Sequence, residues 1–209
     1  MVNGLCIGGT RHAHRQEHNQ GDQAAVIAAI EPFMRERAQY MPIKNNLQDA
    51  YVMMMVAYRS EGDYAKVREC ASILLTSADP EFVAKGQANL ALAALDEGDV
   101  PAAEKLRAEI VSEAAKLYLL ACMQRVQDDP KQAIQTVTGI IADHANDVEW
   151  LAPSELLSAH LYLDMAMTNS AVKTARQVMN IYAGTYVSGD AKRFYDQLGG
   201  EAEPAEPAE

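Results

Sequence analysis

Apolar residues along the chain recur at intervals of three and four, as in Leu90, Ala94 and Leu95 or Leu117, Leu120 and Ala121. That spacing collects them on one stripe of an α-helix, which turns once every ~3.6 residues. No run alternates β-branched and polar residues as a half-buried strand would. Ala, Leu, Met, Glu, Gln and Lys, which lose little entropy in a helix, fill the segments between breakers. The pattern predicts an all-α fold. The breakers recur as well: Gly21-Asp22, Gly62-Asp63, Gly98-Asp99 and the variant Asp128-Asp129 each end one apolar stripe and begin another. A small or branched residue follows each of them, at Val26, Val67, Ala103 and Ala133. A glycine at positive φ ends the first helix, and the aspartate caps the exposed N–H groups of the next, so the two helices fold back antiparallel. The chain reads as an internal repeat of helical hairpins.

A Gly-Asp turn between two amphipathic helices resembles the tetratricopeptide repeat, whose pattern runs W-x2-L-G-x2-Y, then A-x3-F, then P. In Gln48 to Pro80, Tyr51, Met54, Met55 and Tyr58 take the first-helix places, Val67 and Ala71 the second-helix places, and Pro80 closes the unit one residue late. Met55 is bulky for the position where the two helices approach. A second unit uses Gln87, Leu90, Ala91 and Ala94, then Ala103 and Arg107. A third uses Leu117, Leu120, Ala121 and Gln124, then Ala133 and Val137. A fourth uses Ala159, Tyr162, Leu163 and Ala166, a turn without glycine at Thr168-Asn169-Ser170, then Ala175 and Met179. The second-helix markers Val67, Ala103, Ala133 and Ala175 stand 36, 30 and 42 apart, against a family period of about 34.

The resemblance implies a right-handed, tetratricopeptide-like α-solenoid with unequal, degenerate units. Its hairpins are expected at about 7–40, 47–80, 83–111, 113–142 and 154–183, after an N-terminal extension at 1–6, and the repeat domain runs from 7 to 198. The linker Ala142 to Pro153 is expected to hold the longest loop, stapled by Trp150. Tyr186 and Gly189-Asp190 suggest the start of a further hairpin, with a short capping helix at 190–198. From Gly199 the chain repeats Glu, Pro and Ala with no large apolar side chain, the composition of a disordered acidic tail at 199–209.

Charge narrows the partners. Eighteen Lys and Arg against 29 Asp and Glu leave a formal charge of −11, the wrong sign for nucleic acid or an anionic membrane surface. The longest apolar run, Tyr51 to Tyr58, has eight residues, whereas a bilayer needs roughly 20. Three cysteines, Cys6, Cys70 and Cys122, read as buried free thiols in a reducing compartment. With no secretory pattern in the first ten residues, the expected location is cytoplasmic.

One motif has a catalytic namesake. His14-Arg15-Gln16-Glu17-His18 fits H-x-x-E-H, the inverted zinc-protease pattern, in which two histidines one helical turn apart share a metal beside a glutamate base. A third ligand is not evident, and an ordinary polar helix face is the simpler reading. No phosphate loop or nucleophile elbow is present, and no cofactor is expected. His160 and Asp164 pair at most as a surface contact.

The interaction surface is the stronger expectation. In tetratricopeptide solenoids the first helices line a concave groove, which here implies Val52, Val56 and Arg59; Ala88, Asn89, Leu92 and Leu95; Tyr118, Cys122 and Arg125; and His160 and Asp164. Family members that clamp a peptide carboxylate place Lys, Arg and Asn at such positions. Val52 and Val56 replace the first two, so only Asn89, Arg59 and Arg125 keep a polar grip. An apolar groove flanked by the deformable Met53, Met54 and Met55 suits a peptide or helical segment of another protein. The sequence thus predicts a non-enzymatic interaction module or scaffold, with a chaperone-like role as its narrower form. Homo-oligomeric self-assembly and a metal-dependent hydrolase at His14, Glu17 and His18 are the alternatives.

Overall fold

The computed structural model describes residues 24–32, 34–35 and 45–199. Within them nine helices follow one another: α1 (Asn45–Glu61), α2 (Tyr64–Leu74), α3 (Pro80–Asp96), α4 (Val100–Glu109), α5 (Glu113–Val126), α6 (Pro130–Asp143), α7 (Val148–Asp164), α8 (Thr168–Ile181) and α9 (Tyr186–Gln197). Residues 24–32 and 34–35 are also helical, and no strand occurs among the described residues. The extension 1–6, the Gly21-Asp22 turn and the tail beyond Gly199 lie outside them.

The turns inside the hairpins follow the expected chemistry. Gly62 and Gly98 take φ of 77° and 84°, which a residue without Cβ adopts at little cost. Asp63, Asp99 and Asp129 each accept a hydrogen bond from a backbone N–H of the following helix, at Lys66, Ala102 and Gln132. Their own N–H groups donate back five residues, to the carbonyls of Tyr58, Ala94 and Gln124. This closes each preceding helix with a Schellman turn. The same bond runs from Met167 to the carbonyl of Tyr162, around Ala166 at φ 60°.

That fourth turn corrects the sequence reading. It lies at Met165–Met167, and Thr168, Asn169 and Ser170 already belong to α8. The register therefore shifts by four: Ala159 and Ala171, both fully buried, match Ala91 and Ala103 or Ala121 and Ala133. The markers become Val67, Ala103, Ala133 and Ala171. An alanine in the left-handed region carries no sequence signature, which is why the turn was displaced.

Three further boundaries differ. Pro80 opens α3 behind the cap Asp79, whose carboxylate accepts from the N–H of Glu81, and so begins a hairpin where it was expected to close one. The stretch 142–153 holds only a four-residue connection, since α7 starts at Val148. Trp150 and Pro153 are buried helical residues, and Trp150 packs on Tyr118 with ring centroids 5.7 Å apart. Pro153 sits in the second turn, where it leaves the Glu149 carbonyl without its intrahelical donor. The longest connection between these helices is the five residues 75–79. At the other end α9 begins at Tyr186 and includes Gly189 and Asp190, so a single helix replaces the expected turn and short cap.

Each helix packs on its neighbours in sequence, and α1, α3, α5, α7 and α9 also pack on one another in order. First helices are thereby enclosed from several sides. From Ala84 to Asp96, α3 buries every residue except Gln87 and Leu90, whereas α4 buries only Ala103. Such all-round burial needs small side chains, and α3 supplies six alanines or glycines between 84 and 94. At Gly86 an added Cβ would stand 3.2 Å from Leu74 Cβ, so α2 and α3 approach closely there. Among the described residues no helix is long and apolar enough to cross a membrane.

Candidate functional site

The residues expected to line a groove are brought together on successive first helices, but their side chains are largely consumed by one another. Ala88, Leu92, Leu95, Tyr118 and Cys122 are all at most 4% exposed and belong to one core cluster with Leu119, Trp150, Leu157 and Leu161. Val52 and Val56 are half-buried, Val52 against the cluster of α1 and α2. Of the three methionines, Met54 and Met55 are buried and only Met53 is exposed. Burial of so much apolar surface against the chain's own helices is worth about 25 cal/mol per Å², which a weakly held ligand does not displace. The open apolar groove along α3 and α5 is therefore corrected to a filled core.

The polar members of that set are also satisfied internally. Arg59 Nε lies 3.1 Å from Asp96 Oδ2, with both side chains nearly inaccessible, and Arg59 Nη1 donates to Asn89 Oδ1 at 3.3 Å. Asn89 donates in turn to the Lys85 carbonyl at 2.9 Å. Burial raises the Asp96 carboxyl to about 6, with the Arg59 guanidinium opposing the rise. One repeat pair further along, Arg125 Nε meets Asp164 Oδ2 at 2.5 Å. His160 lies against the Phe194 ring of α9, centroids 4.0 Å apart, and Asp164 accepts from Arg125 of α5. Arg59 to Asp96 and Arg125 to Asp164 thus tie α1 to α3 and α5 to α7. Each arginine stands three residues before a left-handed turn residue and each aspartate two before the next, a spacing legible in sequence at Gly62 and Gly98 but not at Ala166.

Among the described residues a cleft of about 730 Å³ is open at the C-terminal end, lined by Glu81 of α3, residues 146–149 and Ala152 around the start of α7, and Tyr182, Thr185, Tyr186 and Val187 around the start of α9. Val148 is 61% and Tyr186 49% exposed. Beneath its edge Lys85 Nζ bridges Glu81 at 2.9 Å and Glu149 at 3.4 Å, joining α3 to α7. The Tyr186 side chain shows about half its surface to solvent and buries the rest. That burial raises the phenol well above its ordinary value, with Glu149 and Asp190 adding to the rise and Arg59 opposing it. Burial likewise pushes the Tyr182 hydroxyl up to about 12, and its hydrogen bond to Glu155 adds to the shift. Both phenols are neutral at physiological pH and present aromatic surface without charge.

No family model, curated protein or solved structure matches this chain. The site rests on its own geometry.

His14, Glu17 and His18 lie outside the described residues. Among the described residues no three His, Cys, Asp or Glu side chains come together as a metal site. Cys70 and Cys122 are buried free thiols, as expected, and burial raises the Cys70 thiol to about 11. Cys6 lies outside. None of the cleft residues was singled out from sequence as a binding residue, because the cleft joins three stretches far apart in the chain. Its one local signal is the exposed aromatic Tyr186 beside a helix start.

Proposed function

We propose that the chain is a non-enzymatic protein-interaction module. Its hairpins form a right-handed, tetratricopeptide-like solenoid that docks a segment of another protein in the C-terminal cleft rather than along its inner face. The observation that carries this reading is the contrast between the two surfaces. The inner face spends its side chains on neighbouring helices, whereas the cleft leaves Val148 61% and Tyr186 49% exposed beside Tyr182 and Ala152. Pockets that take a partner's side chain are concave and mostly apolar with a few polar groups at the edge. Tyrosines supply contact area at small entropic cost. A chaperone-like activity, holding an apolar segment of a client, is the narrower form of the same reading.

The test is selection of peptides from a displayed random library by the full chain, repeated with a Tyr186→Ala/Val148→Ser variant shown by circular dichroism to be equally helical. Peptides that bind the wild type and lose about tenfold or more in affinity to the variant are expected, the loss of one good apolar anchor being worth that much. Peptides unaffected by the variant, or none at all, contradict the reading.

A second reading, self-assembly, is favoured by Leu75, Val111 and Ile181. These large apolar residues are exposed at or beside three of the connections between successive hairpins. Sedimentation that stays monomeric over a wide concentration range removes it.

A further inference from the structure

We propose, building on the docking reading above, that the cleft selects a segment bearing a lysine or arginine flanked by apolar residues. Its lining holds three carboxylates, Glu81, Asp147 and Glu149, and no Lys, Arg or His. Lys85 is the cation paired with two of them, Glu81 and Glu149, and it lies beneath the edge with its side chain only 9% exposed. Asp147 has no cationic side chain against it, and only the positive end of α7 offsets its charge. It stands at the N-cap of α7, yet its side chain makes no capping hydrogen bond, whereas Asp63, Asp79, Asp99, Ser112, Asp129 and Thr185 all cap theirs. Among the described residues no ion pair engages its carboxylate.

Charge alone would describe any acidic surface, and this chain has many. The cleft adds Tyr182 and Tyr186, whose ring faces attract a cation, together with Val148, Ala152 and Val187, which accept apolar neighbours. The hydroxyl of Tyr182 is held by Glu155, and that of Tyr186 is held above its ordinary titration range by burial, so neither ring becomes an anion that would replace the carboxylates as the determinant. A cationic side chain entering between the tyrosines gains attraction from their faces and from Asp147, while its apolar neighbours cover Val148 and Val187. An acidic segment meets like charge, and a purely apolar one leaves the Asp147 carboxylate desolvated without a partner.

The experiment uses the full chain and synthetic peptides from the library selection, measured by fluorescence anisotropy. Recovered sequences are expected to place Lys or Arg beside apolar residues. Replacing that basic residue by Gln is expected to weaken binding about tenfold, and Asp147→Asn to weaken the basic peptide by a similar factor while leaving its Gln counterpart unchanged. Raising the salt concentration narrows the difference between the two peptides. Asp147→Asn removes no capping bond, so the variant keeps its helices. Peptides that depend on Tyr186 but show no preference for positive charge overturn this inference and leave the docking reading standing, as does equal binding of the basic peptide by Asp147→Asn. Recovery of no Tyr186-dependent peptide overturns both. Self-association lost in Tyr186→Ala assigns the cleft to a second copy of the chain and also overturns the proposal.

Discussion

Asp128 and Ala166 hold φ of 63° and 60° in turns where Gly62 and Gly98 serve the other hairpins. A side chain in the left-handed region costs roughly 1–2 kcal/mol, partly offset because glycine has more freedom to lose on folding. Both residues are exposed, so no packing compensates. Ala166→Gly is therefore expected to stabilise the chain by up to about 1 kcal/mol, read as a higher urea midpoint at unchanged slope. Gly98→Ala is expected to shift the midpoint the other way. The Gly-Asp turns were legible because both residues act locally, one through φ and one through a capping oxygen. Ala166 was not, because nothing in alanine marks a left-handed turn. What places it there is the register of α7 and α8, which bury Ala159 and Ala171 against their neighbours.

At the scale of elements, the alignment of first helices depends on ion pairs the chain makes with itself. Arg59 and Asp96 are buried together, where the cost of taking the carboxylate out of water exceeds the attraction of the guanidinium. Its titration has a definite sign. The folded Asp96 carboxyl sits at about 6, above its ordinary 3.8, so between those values the native state binds more protons than the unfolded one. This contribution to stability is fully present below the unfolded value and is lost as the pH rises through 6. Relative to an Asp96→Asn variant, the wild type is expected to gain stability, on the order of a few kcal/mol, as pH falls from 7 to 4. Urea unfolding of both proteins across that range checks it; a constant difference contradicts the assignment. Helix type and most hairpin ends could be read from apolar spacing and caps, as at α5 and α6. The start of α7 could not, because Trp150 and Pro153 read as loop residues until α5 is in place to bury them.

For the whole molecule, the filled core around α3 and α5 has consequences for chemistry as well as for binding. Cys122 is fully buried within it, and Cys70 is held as a neutral thiol in the core of the first pair. Only the thiolate reacts, so both are expected to resist a thiol reagent while the chain is folded and to react at the rate of unfolding. Mass mapping of labelled cysteines against urea checks this, and rapid labelling of Cys122 in the native state contradicts it. The residues expected to line a groove fall on α1, α3, α5 and α7, which pack on one another in order and bury most of those side chains. Small residues such as Ala88 and Ala91 let the first helices close up, and long side chains such as Lys85, Arg59 and Tyr118 then fill what a wider stack would leave free.

The central claim is that the packed faces of α3 and α5 are closed and the C-terminal cleft is open. Carbene footprinting of the full native chain, read residue by residue, tests it most directly. Heavy labelling of Val148 and Tyr186, with Leu92, Tyr118 and Leu157 unlabelled until denaturation, is the result the account requires. Labelling of Leu92 and Tyr118 in the native state, with Val148 and Tyr186 protected, would contradict it.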